Sequence, residues 1–359
     1  MARRGENIYK RKDGRWEGRY KCGFNSDGKA KYRSVYAHTY QEIRDKLQKL
    51  KSTVVNFVSS GKTTVKELSE EWLRAVRLKV KTSTYACYNM KFIKHILPVF
   101  GGMLYEKLTV DGIHEFIENK LKEGLSVKYV SDIIIVFKSM AKYISRIHGY
   151  VNLLENVILP KNEKNEMKLL SKSEQKELCR FVMNKPDSAK IGVLLSYYAG
   201  LRIGEVCGLK WCDIDFNKKI LKVNRTVQRV YENNFTRMII DTPKSRSSVR
   251  EIPLPQFITD ILIKFKGFDS EFVLSGTEKP VEPRTMQYRF KSLLKKANLP
   301  SVNYHSLRHM FATNCIELGF DVKTLSEILG HSTVETTLNR YVHSSIERKT
   351  ACMNLFKIA

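Results

Sequence analysis

The chain has 359 residues, enough for two or three domains, and its 42% hydrophobic content can supply packed cores. Sixty-three Lys and Arg face 37 Asp and Glu, a net charge of +26, which points to a polyanionic partner and first of all to nucleic acid. No run reaches 18 apolar residues, no apolar segment follows the basic N-terminus, and the seven Cys contain no CxxC pair. No membrane span, secretory signal, disulfide framework or zinc ribbon is expected on these grounds, and the expectation is a cytoplasmic protein with reduced thiols.

Residues 1–60 carry 15 Lys and Arg against 6 acids. Short runs rich in aromatic, basic and β-branched residues, Ile8 to Lys10, Trp16 to Cys22 and Lys31 to Tyr36, are separated by Asp13-Gly14 and Asp27-Gly28, pairs suited to hairpin turns. Thr39 and Glu42 have capping-box spacing ahead of Ile43, Leu47, Leu50 and Val54. The pattern predicts a three-stranded sheet backed by a helix, with Arg15, Arg19, Lys21, Lys31 and Arg33 forming a candidate ribbon for reading a DNA groove. The alternative is that these charges only solvate an exposed face.

Ser59 to Lys62 reads as a linker, after which Thr64 and Glu67 cap a helix with Val65, Leu68, Trp72 and Val76 on one face. Further helices are expected near Thr84 to Leu97, Thr109 to Lys122 and Ser126 to Arg146, the first ending at Pro98. No acid occurs from Arg74 to Tyr105, so Arg77, Lys79, Lys81 and Lys91 are candidate DNA contacts. A polar stretch from Pro160 to Lys168 marks another boundary, and Ser171 to Glu174 caps the first helix of a mostly helical C-terminal segment. Within it Ile220 to Leu254 reads as extended, and Thr242 to Leu254 as strand, polar hairpin and returning strand with Lys244 near the turn.

Four motifs carry chemistry. In Tyr198-Ala-Gly-Leu-Arg202-Ile-Gly-Glu205 an Arg follows an apolar helix, with Glu205 three residues on to hold it; a plain helix-stabilising ion pair is the competing reading. Lys244 belongs to the second motif. His305-Ser-Leu-Arg308-His309 puts an imidazole and a guanidinium on one helical face, a pairing suited to an oxyanion with a proton to move. His305 and His309 lack the Glu that a zinc-protease helix needs after its first His, and no third ligand is apparent. Finally, Leu329-Gly-His331 leads through Ser332 and Glu335, spaced as a capping box, to Tyr341; with the segment from Asp321 this also resembles a helix-turn-helix.

In this order, Arg202, Lys244, His305-x-x-Arg308, His331 and Tyr341 resemble the tyrosine recombinase (phage integrase) family. The resemblance covers the C-terminal segment and extends to the helical one. The basic sheet is similar to the arm-site-binding domain of conjugative-transposon and lambda-like integrases. What this implies is a multidomain α+β protein: an arm-site domain over 1–58, an all-α core-binding domain over 63–160, and a mostly α catalytic domain with a small antiparallel sheet over 168–359. It further implies a site-specific recombinase that integrates and excises a mobile element through a 3′-phosphotyrosyl link and a Holliday junction.

The resemblance assigns Tyr341 as nucleophile, Arg202, Arg308 and His331 to the scissile phosphate, His305 as proton acceptor, Lys244 as acid for the departing 5′ oxygen, and Glu205 as their support. No metal or nucleotide cofactor is called for, since two guanidiniums and a lysine supply the charge that a divalent ion otherwise would. Implied partners are core and arm DNA sites, a homotetramer with the apolar tail 350–359 on a neighbouring subunit, and an excisionase or host DNA-bending protein, all at the bacterial nucleoid. Two other readings share parts of the pattern: a type IB topoisomerase that relaxes supercoils, and a non-catalytic helix-turn-helix regulator.

Overall fold

Alternating residues around a tight turn begin the chain's first layer. In a computed structural model, residues 7–24, 30–55, 63–161, 168–232, 235–242 and 248–341 are described, with their side chains except at 21–24, 30–31, 49–55, 232 and 339–341. They fall into two compact units, Met1–Lys164 and Asn165–Ala359.

In the first unit, β1 (Ile8–Lys10), β2 (Trp16–Phe24) and β3 (Ala30–Ala37) form an antiparallel sheet in that order. Gly14, at φ +83°, turns β1 into β2. Helix α1 (Tyr40–Val55) starts where the Glu42 amide donates to Thr39 Oγ1 at 3.2 Å, and its Ile43 and Leu47 pack with Ile8 and Ala37.

Register decides which cations share a face. Arg19 lies opposite Ser34 and Lys21 opposite Tyr32, whereas Arg33 is opposite Tyr20, one step out of phase and so on the other face. The five basic residues therefore do not make one continuous stripe. Arg15 also pairs with Asp13 of its own turn at 2.8 Å, and Arg19 with Glu17 at 3.1 Å. The expected turn at Asp27-Gly28, the side chains of Lys21 and Lys31, and the linker at 59–62 lie outside the described residues.

Helix α2 (Val65–Arg77) begins with a reciprocal cap: the Glu67 amide donates to Thr64 Oγ1 at 3.3 Å and the Thr64 amide to Glu67 Oε2 at 2.8 Å. Val65, Leu68 and Trp72 are buried, each contributing about 1.5–3 kcal/mol by leaving water. Helix α3 (Thr82–Lys91) does not stop at Pro98. A π-turn over Phe92–Ile96 carries it into α4 (Leu97–Phe100), where Pro98 occupies the first turn and its missing N–H does little harm. Helices α5 (Val110–Lys122) and α6 (Val127–His148) complete this core.

One expected DNA contact is corrected here. Lys91 is buried, and its Nζ donates to the Asp132 carbonyl at 3.3 Å, so its charge is spent inside the helical core. Arg77 and Lys79 are exposed and Lys81 is half-buried. The Arg77 guanidinium lies 5.5 Å from the centre of the Tyr85 ring.

In the second unit, α7 (Lys172–Met183) opens on the Ser171–Glu174 capping box and is followed by α8 (Ser188–Tyr198) and α9 (Ile203–Cys207). Strands β4 (Ile214–Asp215), β5 (Ile220–Val223), β6 (Thr226–Glu232), β7 (Phe235–Asp241) and β8 (Arg250–Pro253) divide into a sheet ordered β4-β5-β8 and a separate ribbon, β6-β7. This corrects the expected hairpin over 242–254. Strand β7 pairs with β6, from Thr226 opposite Asp241 to Glu232 opposite Phe235, while β8 pairs with β5. The apolar phase explains the choice: Leu221, Val223, Ile252 and Leu254 all enter the core, which β7 does not.

Helices α10 (Gln256–Leu262), α11 (Pro283–Lys296), α12 (Ser306–Glu317), α13 (Val322–Leu329) and α14 (Val334–Tyr341) complete the unit. Helix α8 is buried along Ile191 to Ser196, and Tyr304 anchors it by donating to the Gly192 carbonyl at 2.8 Å. Among the described residues no helix is long and apolar enough to cross a membrane.

Candidate active site

The centre of the second unit is an arginine that almost no solvent reaches. Arg308, on α12, is 1% exposed; its Nη1 donates to the Gly200 carbonyl at 2.7 Å and its Nη2 to the Leu329 carbonyl at 2.6 Å. A buried guanidinium is tolerable because such acceptors replace water. Gly200 presents its carbonyl from a left-handed turn at φ +65°, and a Cβ there would lie 2.6 Å from Phe311 Cδ1.

Arg202 stands just before α9. Its Nη1 donates to Glu205 Oε1 at 2.7 Å and its Nη2 to the Gly330 carbonyl at 3.3 Å. Gly330 ends α13 in the left-handed conformation, at φ +64°. The two guanidiniums thus rest on consecutive carbonyls, Leu329 and Gly330, immediately ahead of His331. The Arg202 side chain is 35% exposed, so it is the more open of the pair.

His331 has its Nδ1 2.8 Å from Oγ1 of Thr337, a fully buried side chain on the following helix. That helix begins at Val334, so the residue directly before it is Thr333 and not Ser332; the Thr333 Oγ1 is 3.0 Å from Thr336 Oγ1. His305 sits at the start of α12, its amide donating to Asn303 Oδ1 at 3.0 Å. Its ring meets that of His309 edge-on, with centroids 4.9 Å apart. Among the described residues, no three His, Cys, Asp or Glu side chains form a metal-ligating group. Tyr341 is the last residue of α14, and its side chain lies outside the described residues, as do Lys244 and the tail 350–359.

Sequence reasoning missed Arg250. Its side chain is 6% exposed and forks onto Glu205, with Nη1 at 3.2 Å from Oε1 and Nη2 at 3.0 Å from Oε2. Its Nε donates to the Ile328 carbonyl at 2.5 Å and its Nη1 to the Ser248 carbonyl at 3.1 Å. A signal was present: Arg250 is in phase with the core residues Ile252 and Leu254 on an alternating strand, and a cation on a buried phase needs an anion. Glu205 is that anion. Burial pushes its carboxyl up, but Arg250 and then Arg202 more than offset this and hold it below the usual range.

Chemically, the cluster offers forked cationic donors and an imidazole converging on one short stretch of backbone. That suits an anion with several oxygens on which charge develops.

The chain matches the phage integrase family over residues 168–348 and the N-terminal SAM-like domain of phage integrases over 64–121. It is 27% identical to a XerC-like tyrosine recombinase of Caldanaerobacter subterraneus, covering 91% of this chain and 92% of that one. It is 30% identical to the tyrosine recombinase XerA of Pyrococcus horikoshii, covering 76% and 87%. Among solved structures, the Tn1549 transposon integrase in complex with transposon right-end DNA superposes with a TM-score of 0.68 at 23% identity, over 81% of this chain and 99% of that chain. A lambda integrase tetramer bound to a Holliday junction gives 0.58 at 17% identity, over 95% and 98%.

Proposed function

Because this chain belongs to the phage integrase family, the tyrosine recombinases that cleave and religate DNA, we propose that the Arg202–Arg308–His331 cluster holds the scissile phosphate while Tyr341 attacks it. The supporting observation is the convergence of both guanidiniums on the carbonyls of Leu329 and Gly330, next to His331. Arg202 and Arg308 donate to the non-bridging oxygens of the scissile phosphate as it passes through a five-coordinate state. The Tyr341 oxygen bonds to phosphorus, the 5′ oxygen departs, and a 3′-phosphotyrosyl ester stores the bond for later resealing. A phenol near pKa 10 needs a proton acceptor, a role given to His305, while Lys244 protonates the leaving oxygen. Glu205 orients Arg202, and His331 donates to a phosphate oxygen.

The division of labour follows the sequence reading: 1–58 on arm sites, 63–160 gripping the core site, 168–359 performing the chemistry. Arg77, Lys79 and Lys81 serve the core grip, while Arg15, Arg19, Lys21, Lys31 and Arg33 serve the arm grip from two faces of the sheet. The working assembly is a homotetramer on two duplexes that passes through a Holliday junction, integrating and excising a mobile element. In it the apolar tail 350–359 docks on a neighbouring subunit. An excisionase or host DNA-bending protein sets its direction, in the cytoplasm at the nucleoid.

The test is a nicked core-site duplex that traps the covalent intermediate. Wild type is expected to give a protein–DNA adduct that survives denaturation, and Tyr341→Phe to bind the duplex equally well without forming it. An adduct of undiminished yield from Tyr341→Phe would remove Tyr341 from the mechanism.

A further inference from the structure

Glu205 presents a problem that its pairing with Arg202 does not solve. A carboxylate 2.7 Å from a guanidinium makes a nearly neutral pair, and a neutral pair attracts a phosphate weakly. The second cation on the same carboxylate changes the sum. With Arg250 forked onto both Glu205 oxygens, one negative charge lies between two positive ones, and the trio carries a net +1. The partner that can reach a ligand is Arg202, whose side chain is 35% exposed against 6% for Arg250. Arg250 also donates to the backbone carbonyls of Ile328 and Ser248.

We infer that Arg250 is a positioning residue for the cleavage reaction: it neutralises Glu205 so that Arg202 keeps its positive charge, and its fork direction, for the phosphate. This rests on the reading of Arg202 as a phosphate ligand and assigns a role to a residue whose side chain is only 6% exposed. Ordinary bracing of a core strand would give Arg250 the same hydrogen bonds, so charge has to be separated from structure.

The experiment is single-turnover cleavage of the nicked core-site duplex by full-length protein, with duplex affinity and melting temperature measured alongside. Arg250→Met is expected to cleave about 100-fold more slowly, the loss associated with one transition-state donor, with duplex affinity within about threefold of wild type. Adding Glu205→Gln to Arg250→Met removes the uncompensated negative charge and is expected to restore at least about tenfold of that rate. Arg250→Lys keeps the charge without the fork and is expected to stay within about tenfold of wild type, which keeps the claim open to test should Arg250→Met fold poorly. A double variant no faster than Arg250→Met, or Arg250→Lys as slow as Arg250→Met at an unchanged melting temperature, overturns the assignment. If wild type forms no adduct on the duplex, the underlying reading fails as well; if it does and the rescue alone is missing, only the role of Arg250 falls.

Discussion

The hydroxyl of Thr337 and Nδ1 of His331 lie 2.8 Å apart, and Thr337 is completely buried. The contact holds the imidazole by Nδ1 and so fixes how the ring is turned. Thr337→Val keeps the volume and removes the hydroxyl. It is expected to slow cleavage about tenfold, the worth of one such hydrogen bond, while Thr337→Ser stays within about threefold. Equal rates for Thr337→Val and wild type would show that the contact does not matter.

Burial separates the two site arginines. Arg308 is 1% exposed and satisfies two backbone carbonyls, so Arg308→Ala leaves both without that donor. It should cost roughly 2–4 kcal/mol of stability. Arg202→Ala removes a more open side chain and leaves Glu205 its fork from Arg250, so it should cost less, about 1–2 kcal/mol. Both variants should lose cleavage. Urea unfolding measures the contrast, and similar midpoints for the two would contradict it.

Gly200 is constrained by its conformation and by its neighbour. At φ +65°, with Phe311 Cδ1 2.6 Å from any added Cβ, Gly200→Ala should destabilise the unit by roughly 2–4 kcal/mol. It should also displace the carbonyl that Arg308 uses. A melting temperature matching wild type would argue against both.

The N-terminal sheet carries a pH-dependent contact. Hydrogen bonds from Tyr9 and Ser34, then Arg11 and Arg19, lower the Glu17 carboxyl from 4.5 to about 2. A carboxyl depressed on folding stabilises the sheet fully above about 4.5, and that contribution is lost as pH falls toward about 2. Amide exchange or fluorescence of Trp16 should follow this loss, and Glu17→Gln should flatten it. An identical acid profile in Glu17→Gln would place the transition elsewhere.

Local signals were the legible part of this fold. The caps at Thr64 and Ser171 are readable because each needs only residues three apart. Lys91 misleads because helical spacing does not say which face another helix will cover. The strands around Lys244 mislead for a related reason: β8 has two neighbours to choose from, and the choice is made by Leu221 and Val223, some thirty residues upstream. Arg202 and Arg308 could be grouped only by resemblance, since nothing in spacing joins residues more than a hundred positions apart. Arg250 was within reach of simple alternation, and what hid it was the polarity of its side chain in a run otherwise read as a loop and a returning strand.

The bond between Arg308 and the carbonyl of Gly200 closes a loop of 108 residues. During translation Arg202 and Glu205 leave the ribosome together, well before Arg250, Arg308 and Gly330 exist. The cluster is therefore assembled only when the C-terminal unit closes on itself, and no shorter stretch of the chain contains it.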